Sequence, residues 1–151
     1  MQNSINVFKD FYLNVQLVHA KAKMPTRGTP ASAGLDFYTP VDVIIPAGAD
    51  VLVDLGLKLE MPDGFALIFK EKSGIATSKK LDVGGCVVDS DYRGVPKAHL
   101  FNNGQDVAVF KEGDKIVQGI IVNVWDGLPK QVERVDGNTV RGEGGFGSTG
   151  R

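Results

Sequence analysis

Cysteine is almost absent from this chain: Cys86 is the only one among 151 residues. No internal disulfide can form, and no cysteine cluster can hold a metal. Histidine is nearly as scarce. His19 and His99 stand far apart without further ligand types beside them, so both read as surface or hydrogen-bonded core residues. The lone tryptophan, Trp125, and Tyr12 read as packing residues. No apolar run approaches the roughly 18 residues of a membrane span, and no basic-then-apolar leader opens the sequence. A membrane partner is therefore not expected. A cytoplasmic location is, or a virus-encoded origin with action inside the host cell. A charge surplus is missing too: 17 Lys+Arg against 18 Asp+Glu leave a net charge of −1. Polynucleotide binding by counterion release draws on a basic surplus, so nucleic acid is not expected either. A single nucleotide needs only a few local charges and stays open.

What the chain does have is short apolar runs separated by turn residues. Hydrophobic residues make up 42%, enough for one core in a chain of one-domain length. Val51 to Leu59 carries apolar residues at Val51, Val53, Leu55, Leu57 and Leu59, the period-two pattern of a half-buried strand. Further strands are expected over Val15–His19, Val41–Ile45, Phe65–Phe69, Val83–Val88, Ala98–Phe101, Val107–Phe110 and Ile116–Val124. Turn signals lie between them, among them Pro46-Ala-Gly48, Met61-Pro-Asp-Gly64, Asn102-Asn-Gly104 and Lys111-Glu-Gly113. Many short strands at roughly ten-residue spacing predict an all-β sandwich or barrel. One short helix is expected around Ser73 to Leu81.

The end of the chain differs in kind. Arg141-Gly-Glu-Gly-Gly-Phe-Gly-Ser-Thr-Gly-Arg151 has one apolar side chain, Phe146, and cannot bury a face. Taken alone it reads as a flexible solvated tail. Its glycine backbone, hydroxyls and two arginines are also the inventory that grips phosphate. Gly142 to Thr149 superficially matches the Walker A spacing, but the lysine is missing, and no helix can follow within the remaining residues. A Walker-type domain is rejected, and any phosphate grip here belongs to a mobile arm.

Other segments are individually ambiguous. In Asp89-Ser-Asp-Tyr-Arg-Gly94 two carboxylates stand two apart, on one face if the strand continues. They could activate water or hold Mg2+ near a triphosphate, or form an ordinary turn. Glu71-Lys-Ser-Gly74 could cradle phosphate before the short helix, or simply cap it. Ala33-Gly-Leu-Asp36 reads as a turn, and Gln118 puts an amide inside an apolar strand where it must be hydrogen-bonded.

Their order is more informative than any one of them. Ala33-Gly-Leu-Asp36, Lys72-Ser-Gly74, Val87-Val-Asp-Ser-Asp-Tyr-Arg-Gly94, Ile116-Val-Gln118 and the Arg141 to Gly150 tail resemble the five ordered motifs of the trimeric dUTP pyrophosphatases (dUTPases), from about Asn14 onward. The resemblance implies a jelly-roll-like β-barrel with one short helix, assembled as a homotrimer whose active sites are shared between subunits. It implies a domain over 14–140, a C-terminal arm over 141–151 that completes the site, and an N-terminal extension, 1–13, of unknown role. It implies cleavage of dUTP to dUMP and pyrophosphate, with Mg2+ held mainly by the triphosphate. Asp89 would deprotonate the water attacking the α-phosphorus. Cys86, Val87 and Val88 would read uracil through their backbone, Tyr92 would pack on the deoxyribose and exclude a 2′-hydroxyl, and Phe146 would stack on the base. Lys97 is a further candidate on the returning strand. Lys72, Ser73, Gly74 and Gln118 would hold phosphate oxygens, Arg141, Gly147, Ser148 and Thr149 would cover the β- and γ-phosphates, and Asp36 would reach the metal through water.

The chain departs from that pattern at Lys72, where the family usually has Arg, at Cys86, a usual Gly, and at Gly119, a usual large aliphatic. Two alternatives accompany the dUTPase reading. A dCTP deaminase shares the fold but uses a Glu on the strand where this chain reads Lys97-Ala-His-Leu-Phe101. A catalytically silent or moonlighting trimer that binds nucleotide or a protein partner is the other.

Overall fold

The computed structural model describes residues 12–125 and 127–144. Twelve strands, all paired antiparallel, make up nearly all the regular structure. They are β1 (Asn14–Leu17), β2 (Thr26–Arg27), β3 (Leu35–Tyr38), β4 (Val43–Ile45), β5 (Asp50–Asp54) and β6 (Leu57–Glu60), followed by β7 (Phe65–Lys70), β8 (Leu81–Gly84), β9 (Val87–Asp89), β10 (Lys97–Asn102), β11 (Ala108–Phe110) and β12 (Lys115–Asn123). The largest sheet runs β2-β3-β12-β7-β9, a second runs β5-β10-β8, and β1-β6 and β4-β11 pair as ribbons. Their inner faces enclose one core that includes Phe37, Phe69, Leu55, Leu67, Leu100 and Ile116. Phe37 and Phe69 meet edge to face at a centroid distance of 5.1 Å. This is the all-β, jelly-roll-like barrel expected of the sequence.

Several boundaries differ from the sequence pattern for local reasons. The apolar alternation from Val51 to Leu59 spans two strands, because the chain turns at Gly56 with φ +68°. A Cβ there would lie 2.7 Å from that of His19, so glycine suits both the conformation and the space. The run Val83–Val88 is likewise two strands in different sheets, broken at Gly85 with φ +56°. The expected helix shrinks to one wide π-type turn, Ile75–Lys79, ended by Lys80 in the left-handed region, and Leu81 already belongs to β8. The ordinary side-chain cap is not formed: Gly74 holds the cap position, and Ser73 engages through its carbonyl, which accepts from Thr77 Oγ1 at 2.8 Å.

Candidate functional site

Strand β12 positions one cluster. Gln118 lies opposite Asp36 on β3 and Lys70 on β7. Its amide donates to the Glu71 carbonyl at 2.9 Å, which satisfies the half-buried group and ties β12 to the segment after β7. Gly34 makes room for it: a Cβ at that position would lie 2.7 Å from Gln118 Oε1. Asp36 is buried, and its two carboxylate oxygens accept from different lysines, Oδ1 from Lys72 and Oδ2 from Lys115 at 2.7 Å. Burial pushes the Asp36 carboxyl up, and the hydrogen bonds and charges of Lys115 and Lys72 outweigh it, holding the group below its ordinary range. The same contact, first by hydrogen bond and then by charge, raises Lys115.

Lys72, Lys115 and Gln118 line a cleft of about 490 Å³ together with Ser73, Gly74 and Ser78. The expected phosphate set Lys72, Ser73, Gly74 and Gln118 is thus brought together. Lys115, Ser78 and Lys79 line the same cleft and were not anticipated. Lys79 reaches it while donating to the Val109 carbonyl at 3.3 Å and covering the Phe110 ring.

A second cleft of about 260 Å³ opens on the other side of β7. Its lining includes Val87, Val88, Asp89, Tyr92, Lys97 and His99. Val87 is 60% exposed, and Asp89 is exposed at the end of β9. Beyond Asp89 the chain turns, with Tyr92 N donating to the Asp89 carbonyl at 3.2 Å. Asp91 therefore stands in a turn and not on a strand face beside Asp89, which corrects the same-face expectation. Tyr92 folds back so tightly that a Cβ at Gly94 would lie 2.3 Å from its hydroxyl. Cys86 packs against the core rather than lining the cleft, and its carbonyl accepts from Phe69 N at 2.7 Å. His99 pairs with Asp50 at 2.7 Å, as a hydrogen-bonded histidine should. Arg141 donates locally to the Gly144 carbonyl at 2.8 Å, within an exposed stretch. Phe146, Gly147, Ser148 and Thr149 lie outside the described residues.

The two clefts share no lining residue. Gln118 is level with Lys70 on β7, and Asp89 with Ala66, four residues farther along. Two strand spacings across and four residues along put them roughly 16 Å apart.

Fold and clefts together define an antiparallel β-barrel with a cationic recess lined by Lys72, Lys79 and Lys115, distinct from a second one lined by Asp89. A family model described as dUTPase matches residues 20–150, and the chain belongs to that family. The deoxyuridine 5'-triphosphate nucleotidohydrolase of Arabidopsis thaliana is 40% identical over 139 residues, covering 92% of this chain and 83% of the relative. That of Saccharomyces cerevisiae is 37% identical over 143 residues, covering 93% and 96%. Among solved structures, a mutant of a Staphylococcus bacteriophage 80alpha dUTPase with dUpNHpp superposes with a TM-score of 0.87, covering 93% of this chain and 99% of the other. At 22% identity that likeness speaks for the fold alone.

Proposed function

We propose that this protein hydrolyses dUTP to dUMP and pyrophosphate, with the phosphates held in the Lys72–Gln118 cleft of one chain and attacked from the Asp89 cleft of another. The observation that carries this is the pair of separated clefts, each holding one half of the residues its family chemistry needs. In-line attack on phosphorus requires the activated water near 3–3.5 Å from its target. Within one chain the two clefts share no lining residue and open on either side of β7, whereas a second copy can bring its own Asp89 to the first copy's phosphates. A symmetric homotrimer with three shared sites fits this geometry.

Within the site, Asp89 takes the proton of the attacking water. The strand β9 is an edge of its sheet, so backbone groups of Val87 and Val88 facing away from β7 are free to read a base edge. Tyr92 fills the space a 2′-hydroxyl would need. Lys72, Ser73, Gly74 and Gln118 neutralise and orient phosphate oxygens, Arg141, Gly147, Ser148 and Thr149 cover the β- and γ-phosphates, and Phe146 stacks on the base. The donor set also fits a particular kind of metal use. Among the described residues no group of three or more His, Cys, Asp or Glu is placed to hold an ion. Asp36 is buried beneath Lys72 and Lys115 and outside the cleft lining, so any contact it makes with the ion would run through water. Such a site suits Mg2+ that arrives on the triphosphate and keeps much of its hydration. When bound, the ion supplies charge neutralisation along the phosphate chain.

Pyrophosphate release from dUTP, UTP, dTTP and dCTP with Mg2+ tests the reading. Only dUTP should turn over efficiently. Equal turnover of UTP would remove Tyr92 as the sugar filter, and ammonia from dCTP would point to the deaminase alternative.

A further inference from the structure

We propose that Lys115 is a phosphate-binding residue of the cationic cleft, set in place with Lys72 by the buried carboxylate of Asp36. The inference rests on the triphosphate reading of that cleft and adds to it a residue outside the ordered motifs. Lys115 and Gln118 are three positions apart, so on a regular strand they would face opposite sides. β12 is not regular there. Lys115 pairs with Tyr38 while Val117 pairs with Phe37, so Ile116 is an extra residue in the strand. Such a bulge shifts the alternation by one, and Ile116 and Val117 are accordingly both fully buried. The shift returns Lys115 to the face of Asp36 and Gln118 and into the cleft.

The second part of the case is electrostatic. The Asp36 side chain is 7% exposed and that of Lys115 44%, so the anion is sealed below while its partner reaches the opening. A buried carboxylate requires such partners, and serving two lysines fixes both ammonium groups at neighbouring points. Each ammonium keeps further donors for a ligand. Two ammoniums over one carboxylate leave one positive charge to face phosphate. An arginine would offer two parallel donors from a single planar fork. Here two lysines, Lys72 in the segment after β7 and Lys115 on β12, supply the two donor points, which gives a physical sense to Lys72 standing where the family usually has Arg.

The test is calorimetric titration of the full chain with inorganic tripolyphosphate, beside dUTP turnover. Lys115→Gln should weaken tripolyphosphate binding at least about fivefold and raise KM for dUTP by a similar factor, with kcat less affected. Lys115→Arg should restore most of the affinity. Lys58→Gln, an exposed lysine on β6 outside the cleft, controls for the loss of one charge. If Lys115→Gln loses less than about fivefold, or no more than Lys58→Gln, the inference is overturned. If Lys115→Gln does not fold by circular dichroism, Lys115→Met, which keeps the aliphatic stem, takes its place under the same thresholds. Should the wild type bind tripolyphosphate through Lys115 but release no pyrophosphate from dUTP, this inference stands and the dUTP reading falls.

Discussion

The Asp36 carboxylate sits beneath two lysines, and burial by itself would raise its proton affinity. Hydrogen bonds from Lys115 and Lys72 more than offset that, so the folded protein holds the proton more weakly than the unfolded chain does. A depressed folded value contributes stability above the unfolded carboxyl range and loses it as pH falls through the folded value. The affected window therefore lies below about pH 4. Denaturant titrations at pH 7 and pH 3 should show a steeper acid loss for wild type than for Asp36→Asn, which has no carboxylate to protonate. Equal slopes would mean that the two lysine contacts add nothing to folding. Sequence reading reached Asp36 through its motif, but its motif alone does not show that both oxygens are engaged. Asp91 shows the opposite case: period-two spacing placed it beside Asp89, and a turn starting after Asp89 took it away.

At the scale of strands, packing explains one departure that spacing could only note. A Cβ at Gly119 would lie 2.7 Å from both Leu67 Cδ1 and Phe37 Cε2, two fully buried side chains. The ring of Phe37 fills space that a larger side chain on β12 would otherwise take. Gly119→Leu should therefore overpack the barrel and cost about 1–3 kcal/mol in urea denaturation. Combining it with Phe37→Leu should recover most of that loss, and an additive double mutant would refute the exchange of volume between the two strands. Most strands were legible because alternation of Val, Leu and Ile with polar residues tracks one buried face. Gly56 and Gly85 hid two strand ends, since the alternation runs on through them while the backbone turns. The bulge at Ile116 hid Lys115 for a related reason: Ile116-Val117 reads as a strand filled on both faces, and only the pairing with β3 reveals the extra residue. The Lys72–Gln118 cluster was found from motif order, while its separation from Asp89 required the sheet order β12-β7-β9.

For the whole molecule, the C-terminal stretch and the split site raise linked questions. Val132, Val135 and Val140 are exposed, and Arg141 makes a local hydrogen bond to Gly144, so the described residues 141–144 add little to the barrel. Deleting 141–151 should leave melting behaviour nearly unchanged while dUTP turnover falls far more than dUMP binding, because the arm is assigned to the β- and γ-phosphates. Intact turnover after the deletion would return the tail to a solvated appendage. The division of the site between copies can be tested more directly by complementation. Asp89→Asn should bind dUTP but lose at least about 10²-fold in turnover, the usual worth of a general base. Lys72→Gln should lose turnover through phosphate binding. If each working site takes Asp89 from one chain and Lys72 from another, a mixed oligomer contains some sites built from two unmutated halves. Unfolding and refolding the two variants together at equal concentration should therefore restore activity, to about a quarter of wild type for random assortment of two-chain sites. Mixing without unfolding should restore little until subunits exchange. A site lying within one chain behaves differently: every chain in the mixture carries one lesion, and co-refolding recovers nothing.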